Sequence, residues 1–169
     1  MKAKLIVDGN EFDIEILDPK LQELLAPKKK TGYERADQGK LYYCESDSHI
    51  KVYVDYGLEN AHTNVNYVTA NYYSDKTVAE NNARADKLMR QLRRFAVEHR
   101  EKEIDWHNEN QHKYFISYDR WGKDLEVEYD TQYKVFGVIY FDSHKAAELA
   151  IEAFKEELFW YFTEYKDSL

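Results

Sequence analysis

The feature that most constrains this chain is a succession of strand-like and helix-like runs that it carries twice. Lys113-Tyr114-Phe115-Ile116-Ser117-Tyr118, Asp124-Leu125-Glu126-Val127-Glu128-Tyr129 and Phe136-Gly137-Val138-Ile139-Tyr140-Phe141 are three short strand-type runs, and a helix pattern follows from His144 to Tyr165. Upstream, Lys40-Leu41-Tyr42-Tyr43-Cys44, Lys51-Val52-Tyr53-Val54-Asp55-Tyr56 and Val68-Thr69-Ala70-Asn71-Tyr72-Tyr73 lead into another helix pattern that reaches His99. Alternation with period two marks half-buried strands, and apolar recurrence near 3.6 residues marks a helix. The order β-β-β-α therefore occurs twice. It predicts an α+β fold of two tandem units, each an antiparallel three-stranded sheet covered by one helix. The expected division is an N-terminal hairpin, short helix and linker over 1–39, a first unit over 40–102, and a linker with the second unit over 103–169. Units this small bury too little surface alone, so the two are expected to pack on each other.

At the start of the chain, Asp8-Gly9-Asn10 separates two alternating segments, a strong hairpin signal. Asp18-Pro19 reads as the cap and first residue of a short helix through Leu25, ended by Pro27. Lys28-Lys29-Lys30-Thr31-Gly32 then opens a polar connector. In the first long helix, Thr77 and Glu80 form a capping-box pattern, and Ala85, Leu88, Met89, Leu92, Phe95 and Ala96 recur at core spacing. In the last helix Ser143 is the expected N-cap, and Ala147, Ala150, Ile151, Phe154, Leu158, Phe162 and Tyr165 form the core stripe. Phe159, Trp160 and Tyr161 make that end apolar nearly all round, which calls for burial against another part of the chain or against a partner, a second copy included.

The net charge of −8 is unevenly placed. Residues 1–102 hold 17 basic and 17 acidic side chains, whereas residues 103–169 hold 7 and 15. An acidic half binds nucleic acid poorly unless a local basic face overrides it. Two candidate surfaces follow. Asp124, Glu126, Glu128 and Asp130 share one strand face, with Trp121 and Tyr133 nearby. Arg84, Lys87, Arg90, Arg93 and Arg94 lie on the first long helix, with Lys87, Arg90 and Arg94 along one side. The first suits a basic protein groove, the second a phosphate or an acidic partner.

Signals for other chemistry are missing. His107 and His112 have no third ligand at metal spacing, so no metal is expected. There is no glycine-rich phosphate loop, nucleophile elbow or Cys-x-x-Cys, and the chain has only 6 glycines, so neither a cofactor nor catalysis is expected. The single cysteine, Cys44, excludes an internal disulfide. Met1-Lys2-Ala3-Lys4 leads straight into a strand pattern, and no apolar run approaches the ~20 residues of a membrane span. A cytoplasmic protein is the expectation.

The residues that carry a resemblance lie between 40 and 166. Tyr42-Tyr43, Asn71-Tyr72-Tyr73-Ser74, Arg94-Phe95-Ala96 and Ile104-Asp105-Trp106 are similar to segments of small accessory proteins of phages and prophages of Gram-positive bacteria. Lys113-Tyr114-Phe115-Ile116, the run Phe136 to Phe141, Ala146-Ala147-Glu148 and Leu158-Phe159-Trp160-Tyr161-Phe162 resemble them more closely. The resemblance implies a phage-encoded protein acting in an infected bacterial cytoplasm, and no catalytic residue carries over. Accessory proteins of that kind often inhibit host defences. The leading expectation is thus a non-enzymatic inhibitor, of anti-CRISPR or anti-restriction type, that binds a defence nuclease through the acidic face. The alternatives are an RNA- or DNA-binding protein using the arginine helix, a sponge for a nucleotide signal held by aromatic stacking and Arg, and an enzyme acting on nucleic acid.

Overall fold

The computed structural model describes residues 2–25, 30–47 and 49–165. Pro27 and the first two lysines of the basic triplet, Lys28 and Lys29, lie outside the described residues. The chain divides into two units, residues 1–31 and residues 32–169. The class is α+β, with small antiparallel sheets and four helices among the described residues.

In residues 1–31, strands β1 (Lys2–Val7) and β2 (Asn10–Glu15) pair antiparallel from Val7↔Asn10 to Lys2↔Glu15. The two connecting residues, Asp8 at φ 48° and Gly9 at φ 80°, are both left-handed. A two-residue turn that follows strand twist demands this, and Asp-Gly supplies it at low strain. Helix α1 (Pro19–Leu25) begins as expected, the Asp18 carboxylate accepting the Lys20 N–H at 2.8 Å.

Residues 32–169 contain two more antiparallel hairpins. Strands β3 (Leu41–Ser46) and β4 (His49–Val54) form one, and β5 (Lys113–Asp119) and β6 (Asp124–Asp130) the other. Each sheet is two strands wide rather than the expected three, because each third strand is reduced to one bridging residue. Tyr43 and Tyr73 exchange backbone hydrogen bonds of 2.8 and 2.9 Å, and Tyr114 and Phe141 exchange bonds of 2.9 and 2.7 Å. The first third strand is pre-empted by a helix that the residue pattern does not reveal, α2 (Ala61–Val68), followed by Ala70 at φ 57°. Its polar sequence has no core-facing apolar repeat. It is held instead by Asn60, which accepts the Thr63 N–H at 3.0 Å, and by burial of Thr63. The second is broken by a turn in which the Val138 N–H reaches the Val135 carbonyl and Gly137 takes φ 81°, a conformation no strand admits.

The helix α3 (Lys76–Glu98) lies on the first hairpin and α4 (His144–Thr163) on the second, and the two helices pack together. They run antiparallel: Asn82 meets Tyr165, Arg84 meets Glu157, and Phe95 meets Phe154. The cap of α3 is Asp75, which accepts the Val78 N–H at 3.0 Å, so the Thr77/Glu80 box is not used. Glu80 pairs with Lys76 instead, at 3.1 Å. Ser143 caps α4 as expected, accepting from the Ala146 N–H at 3.2 Å. The main core joins Leu88 and Leu92 of α3, Leu125 of β6, Phe141, and Ala146, Ala147, Ala150 and Leu158 of α4. The alanines let α4 approach its hairpin closely. Helix α4 breaks its regular geometry at Phe154 (φ −123°, ψ 21°), whose ring meets Phe95 edge-on at 5.5 Å.

Asn71 substitutes for the strand residue missing beside β3. Its amide nitrogen donates to the Glu45 carbonyl at 2.9 Å, and its oxygen accepts the Glu45 N–H at 2.8 Å. Asn71→Ala leaves both backbone groups half-buried and unpaired. Urea unfolding of this variant is expected to show a loss of about 1–3 kcal/mol. A loss below about 0.5 kcal/mol would mean that water replaces the amide.

Candidate partner-binding surface

The β5–β6 register settles which side chains share a face. Lys113↔Asp130, Phe115↔Glu128, Ser117↔Glu126 and Asp119↔Asp124 pair on one side, and Tyr114, Ile116, Tyr118, Leu125 and Val127 pack toward the core on the other. Asp124, Glu126, Glu128 and Asp130 therefore do lie on one outward face, separated by two-residue steps of about 6.7 Å. They are not equivalent. Asp130 accepts the N–H groups of Gln132 at 2.7 Å and Tyr133 at 2.8 Å, which hold its carboxyl below the ordinary carboxylate range. It is a turn-building residue. Asp124 accepts its neighbour's N–H, from Leu125, and Glu128 accepts the Ser117 hydroxyl, both at 2.8 Å. Among the described residues Asp124, Glu126 and Glu128 are exposed and in no ion pair.

Trp121 and Tyr133 stand at opposite ends of this hairpin, about 20 Å apart along the strands. Trp121 occupies the β5–β6 turn, where Asp119 accepts its N–H at 2.8 Å and that of Gly122 at 2.6 Å, and its side chain is 97% exposed. Tyr133 follows β6 and is 69% exposed. Near Tyr133 the face is closed rather than acidic. The segment 101–112 folds back here, its start tied by Asp142, which accepts the N–H groups of Glu101 and Lys102 at 2.7 Å. Lys113 is fully buried beneath it. Its ammonium donates to the carbonyls of Asn108 at 2.7 Å and Thr131 at 2.9 Å, 5.4 Å from the Trp106 ring centre.

The arginine helix is largely neutralised within the fold. Arg84 grips Glu157 with two nitrogens, at 2.7 and 3.1 Å, and lies 3.9 Å over the Trp160 ring. Arg90 pairs with Glu45 at 3.1 Å and Arg94 with Glu98 at 3.7 Å. Lys87 and Arg93 are exposed, and Lys87 borders a cleft shared with Glu152, Glu156 and Glu157 of α4. Much of this basic face is thus paired within the chain, Arg84 with the acidic half and Arg90 and Arg94 with carboxylates of the first half. Among the described residues no cluster of three metal-ligating side chains exists. The His112 ring stacks on Tyr129 at 4.1 Å, and burial pushes the Cys44 thiol up, away from nucleophilic range.

A second polar centre escaped the sequence patterns. Asp55, 1% exposed, accepts the Gly57 N–H at 2.6 Å, the Tyr72 hydroxyl at 2.8 Å and the Arg35 Nε–H at 3.3 Å. Burial raises its carboxyl, but these donors together hold it below the ordinary value. Tyr72 also accepts the Ala36 N–H at 2.8 Å and stacks on Tyr42 at 4.2 Å, whose hydroxyl meets His62 and Asn66. This network ties the segment before β3, the end of β4 and α2 together. Its carboxylate and hydroxyl groups are consumed by one another, while the two terminal nitrogens of Arg35 are buried without a hydrogen-bond partner among the described residues, 5.1 Å separating the guanidinium from the Tyr67 ring centre; it reads as an internal clamp. The one local signal was Asp55 two residues before Gly57, an Asx-turn spacing.

Compared with protein-family models, curated proteins and solved structures, the chain matches none.

The clamp predicts an alkaline signature. A phenol ionises near 10.0 in the unfolded chain, whereas burial, with Asp55 acting in the same direction, pushes Tyr72 up to about 12. This raised value contributes stability that is complete below pH 10 and is lost as pH rises toward about 12. Between those values, unfolding free energy of the native chain is expected to fall more steeply than that of Tyr72→Phe, by up to about 1.4 kcal/mol per pH unit. Equal slopes in urea titrations would place Tyr72 in ordinary solvent.

Proposed function

We propose that the chain is a phage-encoded, non-enzymatic binding protein that inhibits a bacterial defence system by docking the outward face of β5–β6 into the nucleic-acid groove of a defence nuclease. The observation that carries this reading is the set of three exposed, unneutralised carboxylates, Asp124, Glu126 and Glu128, in line on one strand, with the exposed Trp121 ring at one end. Such a stripe presents regularly spaced negative charge to a groove built for phosphate, and aromatic rings are frequent anchors of protein interfaces. The bacterial setting comes from the resemblance between residues 40 and 166.

The same reading includes the finer architecture: residues 40–169 are one structural unit used twice. Tyr43 with Tyr73, and Tyr114 with Phe141, make the same single bridge. Two residues after each bridge stands a side-chain N-cap, Asp75 or Ser143, and four residues beyond it a fully buried alanine, Ala79 or Ala147.

The test is a pull-down from a Gram-positive host lysate, with and without nuclease treatment. A defence nuclease retained after treatment, and lost with the triple variant Asp124→Lys, Glu126→Lys, Glu128→Lys, is the expected result. For the purified pair the variant is expected to weaken binding about a hundredfold while its unfolding midpoint changes little, since all three side chains are exposed. Asp130 is left intact because it builds a turn. Full retention of the partner by the triple variant would overturn the reading. Retention that depends on nucleic acid would move the binding to Lys87 and Arg93.

A further inference from the structure

We infer that the outer edge of β5 is a strand-addition site, which takes an extended partner segment of alternating aliphatic and basic residues. The argument begins with backbone direction. Tyr114 spends both its N–H and its C=O on Phe141, so both point away from β6. Backbone groups alternate sides along a strand, and those of Ile116 and Tyr118 therefore point to the same outer edge. Among the described residues no hydrogen bond there is made to either residue by backbone or side chain. Four polar groups stand unpaired, at the two-residue spacing that an extended chain matches.

The first hairpin shows what this position requires. There Glu45, two residues after the bridging Tyr43, is satisfied by the amide of Asn71, two residues before the bridging Tyr73. In the second hairpin the corresponding residues are Ile116 and Ile139, and an isoleucine has no amide to offer. The chain's own third segment is held off by the Gly137 turn and by the Tyr140 hydroxyl, which accepts the Val135 N–H at 2.9 Å. Proline and lysine, which commonly blunt exposed edges, are absent from Ile116-Ser117-Tyr118.

Side-chain chemistry selects the occupant. An added residue opposite Ile116 points to the helix side of the sheet. There a pocket of about 280 Å³, lined by Leu92, Ile116 and Leu158 and by residues 136–139 of the held-off segment, takes an aliphatic side chain. The neighbouring residues of the added strand point to the opposite face, which carries Ser117, Glu126 and Glu128. Basic side chains complement that face. Main-chain pairing supplies the affinity and the alternation supplies the selectivity.

The test uses the full chain and the acetylated, amidated octapeptide Thr-Lys-Ile-Lys-Val-Lys-Ile-Thr, with a copy N-methylated on alternate residues so that one edge has no N–H groups. Binding is followed by fluorescence anisotropy and by amide exchange of Ile116 and Tyr118 in NMR spectra. The unmodified peptide is expected to bind and to slow both amides at least about tenfold, and methylation on the pairing edge to weaken binding by about tenfold or more. Ile139→Asn, which grafts the first hairpin's edge cap, is expected to weaken it similarly. Equal binding of methylated and unmodified peptides would show attachment to the acidic face alone and overturn the inference, as would no binding at millimolar peptide. Protection of Ile116 and Tyr118 that grows with concentration of the chain alone would assign the edge to a second copy, and overturn it too.

Discussion

In residues 32–169 each hairpin is only two strands wide, and a ribbon of that width buries too little apolar surface to persist in water by itself. The rest of the arrangement answers this shortage. Helices α3 and α4 each cover a hairpin, and they also pack antiparallel on one another, so that Leu88 and Leu92 of the first half enter the core of the second. The pairing is fastened by Arg84 between Glu157 and Trp160, by Tyr165 on Asn82, and by Phe95 against Phe154. Neither hairpin has a complete core of its own. Cooperative unfolding of the two halves is the physical consequence.

The faces turned away from α3 and α4 meet the same shortage with polar chemistry. On the first hairpin, Tyr72 stacks on Tyr42 and donates its hydroxyl to a buried Asp55 whose oxygens receive three donors. On the second, Lys113 sits under the 101–112 segment with its ammonium on two carbonyls and beside the Trp106 ring. A buried charge with one partner is a liability of several kcal/mol, of order 3–5 when its partner is removed. Charges held by several donors or acceptors instead lock a loop to a strand. Only beyond the reach of the 101–112 segment does the second hairpin become a free acidic surface.

Legibility in the sequence followed range. Period-two alternation placed Leu125 and Val127 inside and Asp124, Glu126 and Glu128 outside, because that pattern is a local property of a strand. The Asp8-Gly9 turn and the Ser143 cap were readable for the same reason. The third strands were not, since a single cap, Asn60, and a single turn at Gly137 decided against runs that otherwise suit a sheet. Pairings across long separations were opaque as well. The uneven charge carried no sign that Arg84 would choose Glu157, 73 residues away. The Asp55–Tyr72 clamp joins residues 17 apart, and its one local signal, the Asp55–Gly57 spacing, says nothing of Tyr72.

The two bridges give this fold a built-in comparison. Both hairpins stop their third strand after one residue, and both then need something to satisfy the next pair of backbone groups on the edge. The first half solves the problem internally with a side-chain amide that copies a backbone, and its edge is finished. The second half has the apolar Ile139 at that place, an apolar pocket beside it and an acidic face beyond. An open edge is normally selected against because it invites pairing with any extended chain. Keeping one open beside a pocket and a charged face narrows that invitation to chains of matching alternation. Among the described residues, the unfinished β5 edge is the one that joins unspent backbone hydrogen-bonding capacity to an apolar pocket and an acidic face.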